Sequence, residues 1–270
     1  MPSRSLLFLI LSCVFITTAT AHADVLNSET DDVKKVTALR VDFHSGLTSR
    51  PLFFHVTRLD PYLFLVPEHA LMHLNARTIP TFLSQIGLRP TQARRLRVYY
   101  FYYSGGLLYG SRPLLDAVAI ADSTFYNTPR MLEALRRVAY PVSYAQPQIL
   151  NIEVPHFGDA KHLLRAEGVA FEPSNASLPE PRLSISQLNT GAGNSGAPII
   201  LNGTQGEDGS LLGLLRCRLR EGYFLGTSIN SLLESNIVER PFGNFIQSNQ
   251  ALAPNVQQCV PIDSKKGGGG

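Results

Sequence analysis

The feature that most constrains this chain is a rapid succession of short apolar runs, each cut off by Gly, Pro, Asp or Ser. Runs rich in Val, Phe, Tyr and Leu occupy residues 36–43, 52–57, 62–66, 95–103 and 114–120, and a second block follows at 182–187, 197–202, 210–218 and 223–227. Runs this short at this spacing predict strands of an antiparallel, all-β domain rather than helices. Three segments break the series with helical character: residues 78–86, 129–138 and 229–239. Residues 129–138 begin with a proline behind Thr128, a pattern that starts a helix, with Thr128 as its N-cap. The absence of Trp, together with 21 Gly and 18 Pro, suits turns and strands better than a bundle. The run Val98-Tyr99-Tyr100-Phe101-Tyr102-Tyr103 puts rings on both faces of one strand, which favours packing on both sides over a ligand platform.

Organisation follows from the punctuation. Residues 1–23 combine a basic start, an apolar stretch and Ala21-His22-Ala23, the pattern of a secretory signal cleaved before Asp24. The expected location is secreted or periplasmic, and no other stretch is apolar enough to keep a membrane span after that cleavage. A polar leader covers residues 24–35. Residues 36–139 are read as a first barrel, the proline-bearing 140–155 as a linker, 156–240 as a second barrel with a C-terminal helix, and 241–270 as a tail. Charge excludes one class of partner: 24 basic against 21 acidic residues give a formal charge of +3, too even for a nucleic-acid footprint. Of three cysteines, Cys13 leaves with the signal, so Cys217 and Cys259 form an even pair in an oxidising compartment. One disulfide between them is expected, closing a loop of roughly forty residues worth about 3–4 kcal/mol.

The stretch Gly191-Ala192-Gly193-Asn194-Ser195-Gly196-Ala197-Pro198 concentrates the chemistry. A serine between glycines, ahead of a strand, is what an exposed hydroxyl nucleophile needs. Gly193 and Ser195 would supply two convergent N–H donors for an oxyanion. Such a serine requires a base, and the base an orienting acid. No histidine follows Ser195, which excludes the α/β-hydrolase order, and Ala197 breaks the Gly-x-Ser-x-Gly elbow. Gly226-Thr227-Ser228 lacks the upstream Asp and His settings that a subtilase serine needs. What remains is His, then Asp, then Ser. His69 stands at the end of the run 62–66, whereas His55 falls within a strand and His44 and His73 have weaker settings. Asp116 heads the apolar run 114–120, where a buried carboxylate needs a hydrogen-bonding partner. Asp122 is the alternative acid, and Asp60 precedes the histidine.

These contexts together resemble the chymotrypsin-like, trypsin-fold serine proteases. Leu65-Val66-Pro67-Glu68-His69-Ala70 is similar to that family's strand ending in Ala-Ala-His, Asp116-Ala117-Val118-Ala119-Ile120 to its Asp-Ile-Ala-Leu, and Gly193-Asn194-Ser195-Gly196-Ala197-Pro198 to its Gly-Asp-Ser-Gly-Gly-Pro. The Gly-Asn-Ser-Gly form is closest to the bacterial HtrA-like and glutamyl-endopeptidase-like branches, here without a PDZ domain. The resemblance implies two packed antiparallel β-barrels and a serine endopeptidase acting on protein or peptide substrates, with no metal or organic cofactor. It also implies a substrate pocket near Asn189, Tyr223 and Phe224. Asn194 stands where the trypsin branch has an Asp, and Glu68 and Pro67 stand where small residues flank the histidine. The rival expectation is a catalytically inactive trypsin-fold protein, acting as a secreted binding or interaction module.

Overall fold

The computed structural model describes residues 36–43, 52–71, 74–102, 114–140, 149–157, 163–171, 182–188, 194–202, 209–220 and 222–244. The fold is all-β, with two antiparallel lobes. Strands β1 (Thr37–Phe43), β2 (Leu52–Asp60), β3 (Leu63–Val66), β4 (Leu96–Tyr102) and β5 (Leu114–Asp122) belong to the first lobe. Strands β6 (Ile149–Phe157), β7 (Leu163–Phe171), β8 (Arg182–Ser186), β9 (Pro198–Leu201), β10 (Leu211–Arg220) and β11 (Tyr223–Ser228) close into the second lobe, a six-stranded barrel in the order β10-β11-β8-β7-β6-β9. A last strand, β12 (Asn236–Pro241), returns to β4 and completes a six-stranded sheet in the order β1-β2-β3-β5-β4-β12. The chain therefore does not divide cleanly at one linker.

Several expectations need adjusting. The segment 229–239 is not one helix. Helix α4 spans only Ile229–Leu233, burying Ile229 and Leu232 one turn apart, and the chain then extends into β12. The expected linker 140–155 already contains most of β6, so proline content misled there; Pro155 sits inside a strand, paired with Arg165. The N-cap of α3 (Thr128–Val138) is Asn127, whose side chain accepts the Arg130 N–H at 3.1 Å, rather than Thr128. A free side-chain oxygen one residue earlier satisfies an orphan N–H better than a threonine already inside the helix. Helices α1 (Glu68–Leu71) and α2 (Ile79–Gln85) and a 3₁₀ helix at Pro90–Arg95 lie in the first lobe.

Both faces of the first sheet are covered, which explains its alternating aromatics. Val98 and Tyr100 point into a core with Phe54, Phe64, Phe82 and Phe242. Tyr99 and Phe101 point the other way, into a core shared with Met131 and Leu135 of α3 and with Leu211 and Leu214 of β10. This second core lies between the lobes and joins them. A third core fills the barrel around Ile152, Leu183, Ile199 and Leu215. The rings of β4 are thus packing residues.

Candidate active site

Sheet register brings His69 and Asp116 together. Val66 of β3 pairs with Val118 of β5 in antiparallel sense. Continuing that register past the end of β3 sets residues 68 and 69 beside 116. Pro67 ends the strand, its carbonyl accepts the Ala70 N–H at 3.1 Å, and α1 begins. The His69 side chain is about a third exposed, while that of Asp116 is buried. Asp116 grips the histidine twice: His69 Nδ1 lies 2.7 Å from Oδ2 and 3.0 Å from Oδ1, and the His69 backbone N–H donates to Oδ1 at 3.0 Å. With Nδ1–H donated to the carboxylate, the tautomer that leaves Nε2 as a proton acceptor is favoured.

Ser195 arrives from the other lobe through a latched turn. Gly196 takes φ +87°, the left-handed region that favours glycine. Its N–H donates to the Leu215 carbonyl at 2.7 Å, anchoring the turn to β10. Across the lobe junction, the His55 N–H of β2 donates to the Ser195 carbonyl at 2.8 Å, and the Thr57 hydroxyl donates to the Gly196 carbonyl at 2.8 Å. The Ser195 hydroxyl donates to the Arg216 carbonyl at 2.7 Å and makes no hydrogen bond to His69. The Ser195 N–H donates to no acceptor among the described residues, as an anion-binding donor requires.

Two charged residues that sequence reasoning missed complete the cluster. Arg216 of β10 is buried, with Nε 3.1 Å from Asp116 Oδ2. Glu68 is 1% exposed, and its Oε2 has no hydrogen-bond partner among the described residues. Burial, reinforced by the neighbouring Asp116 charge, pushes the Glu68 carboxyl up to about 7. Burial alone would lower the His69 imidazole, but the hydrogen bond and charge of Asp116 prevail and hold it above its ordinary value. Burial opposes ionisation of Asp116; the hydrogen bond from His69, with the charges of His69 and Arg216, overcomes this and holds the carboxyl below its usual range.

The other expected site residues fall as follows. Tyr223 is exposed at the start of β11. Phe224, by contrast, is 2% exposed and turned into the barrel core, so it lines no open pocket, because successive strand residues face opposite sides. Gly193, Asn189 and Cys259 lie outside the described residues, as do His44 and His73; Cys217 is half-buried on β10. His55 is buried, stacked on Phe157 at 6.1 Å, and its Nε2 accepts the Phe157 N–H at 2.8 Å, which is a packing role. Asp122 is buried at a turn, accepting the Thr124 N–H at 2.9 Å, and Asp60 accepts the Tyr62 N–H at 3.1 Å. Asp116 alone of the three acids contacts His69. Among the described residues there is no cluster of three or more His, Cys, Asp or Glu suited to a metal, and no helix long and apolar enough to cross a membrane.

No protein-family model and no curated protein matches the chain. Among solved structures it is similar to the active form of the Rv3671c protease from M. tuberculosis, at 10% identity over 73% of this chain and 78% of that one, with a TM-score of 0.41. It is similar to Deg5 at 11% identity over 75% and 87% of the two chains, with a TM-score of 0.40. The NS6 protease from murine norovirus 1 follows at 10% identity over 64% and 84%, with a TM-score of 0.36. Likeness of this depth carries no weight in a functional reading, which stands on the geometry of His69, Asp116 and Ser195.

Proposed function

We propose that the protein is an exported serine endopeptidase of trypsin-like type, hydrolysing peptide bonds through an acyl-enzyme. The observation that carries this reading is the two-point grip of Asp116 on His69 at 2.7 and 3.0 Å, with Ser195 held against the same cluster by a turn latched across the lobe junction. An acid-oriented imidazole beside a serine on a glycine turn is the arrangement that makes a hydroxyl nucleophilic.

In this reading the Ser195 hydroxyl, which rests on the Arg216 carbonyl, turns to His69 Nε2 when substrate binds. Its oxygen attacks the scissile carbonyl carbon while the proton passes to Nε2. The oxyanion is held by the N–H groups of Ser195 and Gly193, and Asp116 stabilises the imidazolium. His69 then protonates the departing amine, leaving an acyl group on Ser195. Water, deprotonated by His69, attacks this ester and releases the second product. Asn189 and Tyr223 are assigned to the pocket that receives the substrate side chain.

Residues 1–23 serve as the export signal in this reading, delivering the chain outside the cytoplasm. There Cys217 and Cys259 are assigned to one disulfide. The inactive binding module is not favoured, since His69, Asp116 and Ser195 are all present and the first two are engaged. Incubation with a mixture of unstructured peptides, read by mass spectrometry, tests the activity. The parent is expected to generate internal cleavage products that S195A does not. Equal products from both proteins, or none from the folded parent, would overturn the proposal.

A further inference from the structure

Strand β10 carries a cation where its apolar neighbours predict another leucine. Arg216 is 3% exposed and follows Leu215, which is buried in the barrel core. Its Nε reaches 3.1 Å from Asp116 Oδ2, the oxygen that lies 2.7 Å from His69 Nδ1. The guanidinium acts on Asp116 as a charge. The backbone of this residue also accepts the Ser195 hydroxyl at 2.7 Å. One residue of the second lobe thus touches both the acid of the first lobe and the nucleophile of its own.

The charges around it give that contact a purpose. Asp116 on β5 and Glu68 on α1 place two carboxyl groups beside one imidazole, and Tyr102 on β4 is the further titratable group near Glu68. With carboxyl groups as its only charged neighbours, His69 would hold a second ring proton more tightly. A buried cation counters this, favouring ionised Asp116 and repelling a proton from the imidazole.

We propose that Arg216 is a positioning residue that clamps the two lobes at the site, its charge set against Asp116 so that His69 gives up its second ring proton more readily, while its carbonyl holds the resting Ser195 hydroxyl. This rests on reading His69, Asp116 and Ser195 as the catalytic set.

The test is an NMR titration of the His69 imidazole in the full chain, alongside the pH dependence of Ser195 labelling by a fluorophosphonate. In R216M the His69 midpoint and the acid limb of labelling are expected to rise together by about one pH unit. In R216K, which keeps the charge, both are expected to stay at the parent position. A midpoint that does not move in folded R216M overturns the proposal. So does a rise in R216K, and this arm decides alone if R216M does not fold. A parent that never labels sinks the catalytic reading instead, and the His69 midpoints still report on the clamp.

Discussion

Replacing Gly196 with alanine tests how the Ser195 turn is held. A Cβ on Gly196 would stand 2.0 Å from the His55 carbonyl oxygen, 2.6 Å from Pro67 Cδ and 2.9 Å from the His55 carbonyl carbon. Two of these contacts are backbone, so no side chain can swing aside, and the turn must retreat from β2 by about 1 Å, an overpacking strain of roughly 1–3 kcal/mol. The φ of +87° adds about 1 kcal/mol for a residue with a Cβ. Retreat also weakens the His55-to-Ser195 and Thr57-to-Gly196 hydrogen bonds, each worth about 1 kcal/mol net. The expected loss is about 4 kcal/mol, which at a urea slope of about 2 kcal/mol per molar lowers the midpoint by about 2 M. Gly222→Ala is the matched control: φ is +72° but nothing lies within 4 Å, so the strain alone, about 1 kcal/mol, is expected. Equal shifts for the two variants in equilibrium urea unfolding would refute the close-approach argument.

Three further outcomes follow from the site. Asp116→Asn keeps the shape but reverses the His69 tautomer, so peptide turnover should fall by about 10⁴ while the fold persists; a loss under tenfold, measured by initial rates, contradicts the orienting role. Glu68 titrates near 7 in the folded chain against 4.5 ordinarily, so its contribution to stability is complete below pH 4.5 and is lost as pH rises through 7. Glu68→Gln lacks that titration, so its stability relative to the parent should improve by roughly 3 kcal/mol between pH 4.5 and pH 8.5; a constant difference between the two urea curves refutes it. Cys217→Ser should cost about 3–4 kcal/mol under oxidising conditions and nothing in reductant; non-reducing peptide mapping that fails to join Cys217 to Cys259 contradicts the pairing.

The parts of this site that were legible in the sequence are those set by local pattern. A strand that ends at Pro67 and a carboxylate heading an apolar run pointed to His69 and Asp116, and register then supplied the contact. Arg216 and Glu68 were not legible, because a single charge inside or beside an apolar run looks the same whether it meets solvent or a buried partner. Only the fold across both lobes reveals that the Arg216 side chain finds Asp116, a hundred residues earlier. Strand β12 was hidden for a different reason: Ile229 and Leu232 carry a helical spacing, and β12 itself offers only the short apolar pair Ile237-Val238 without alternation. Strands β6 and β7 went unrecognised because Pro155 and charged residues dilute their apolar pattern, and pairing on both sides within a closed barrel overrides that local weakness.

The most direct measurement of the central claim is covalent labelling of the purified, folded protein with a fluorophosphonate, followed by intact mass and peptide mapping. The account predicts one adduct per chain, on Ser195, absent from S195A and strongly slowed in H69A. A folded parent that takes up no label, or an adduct that survives in S195A, would contradict it.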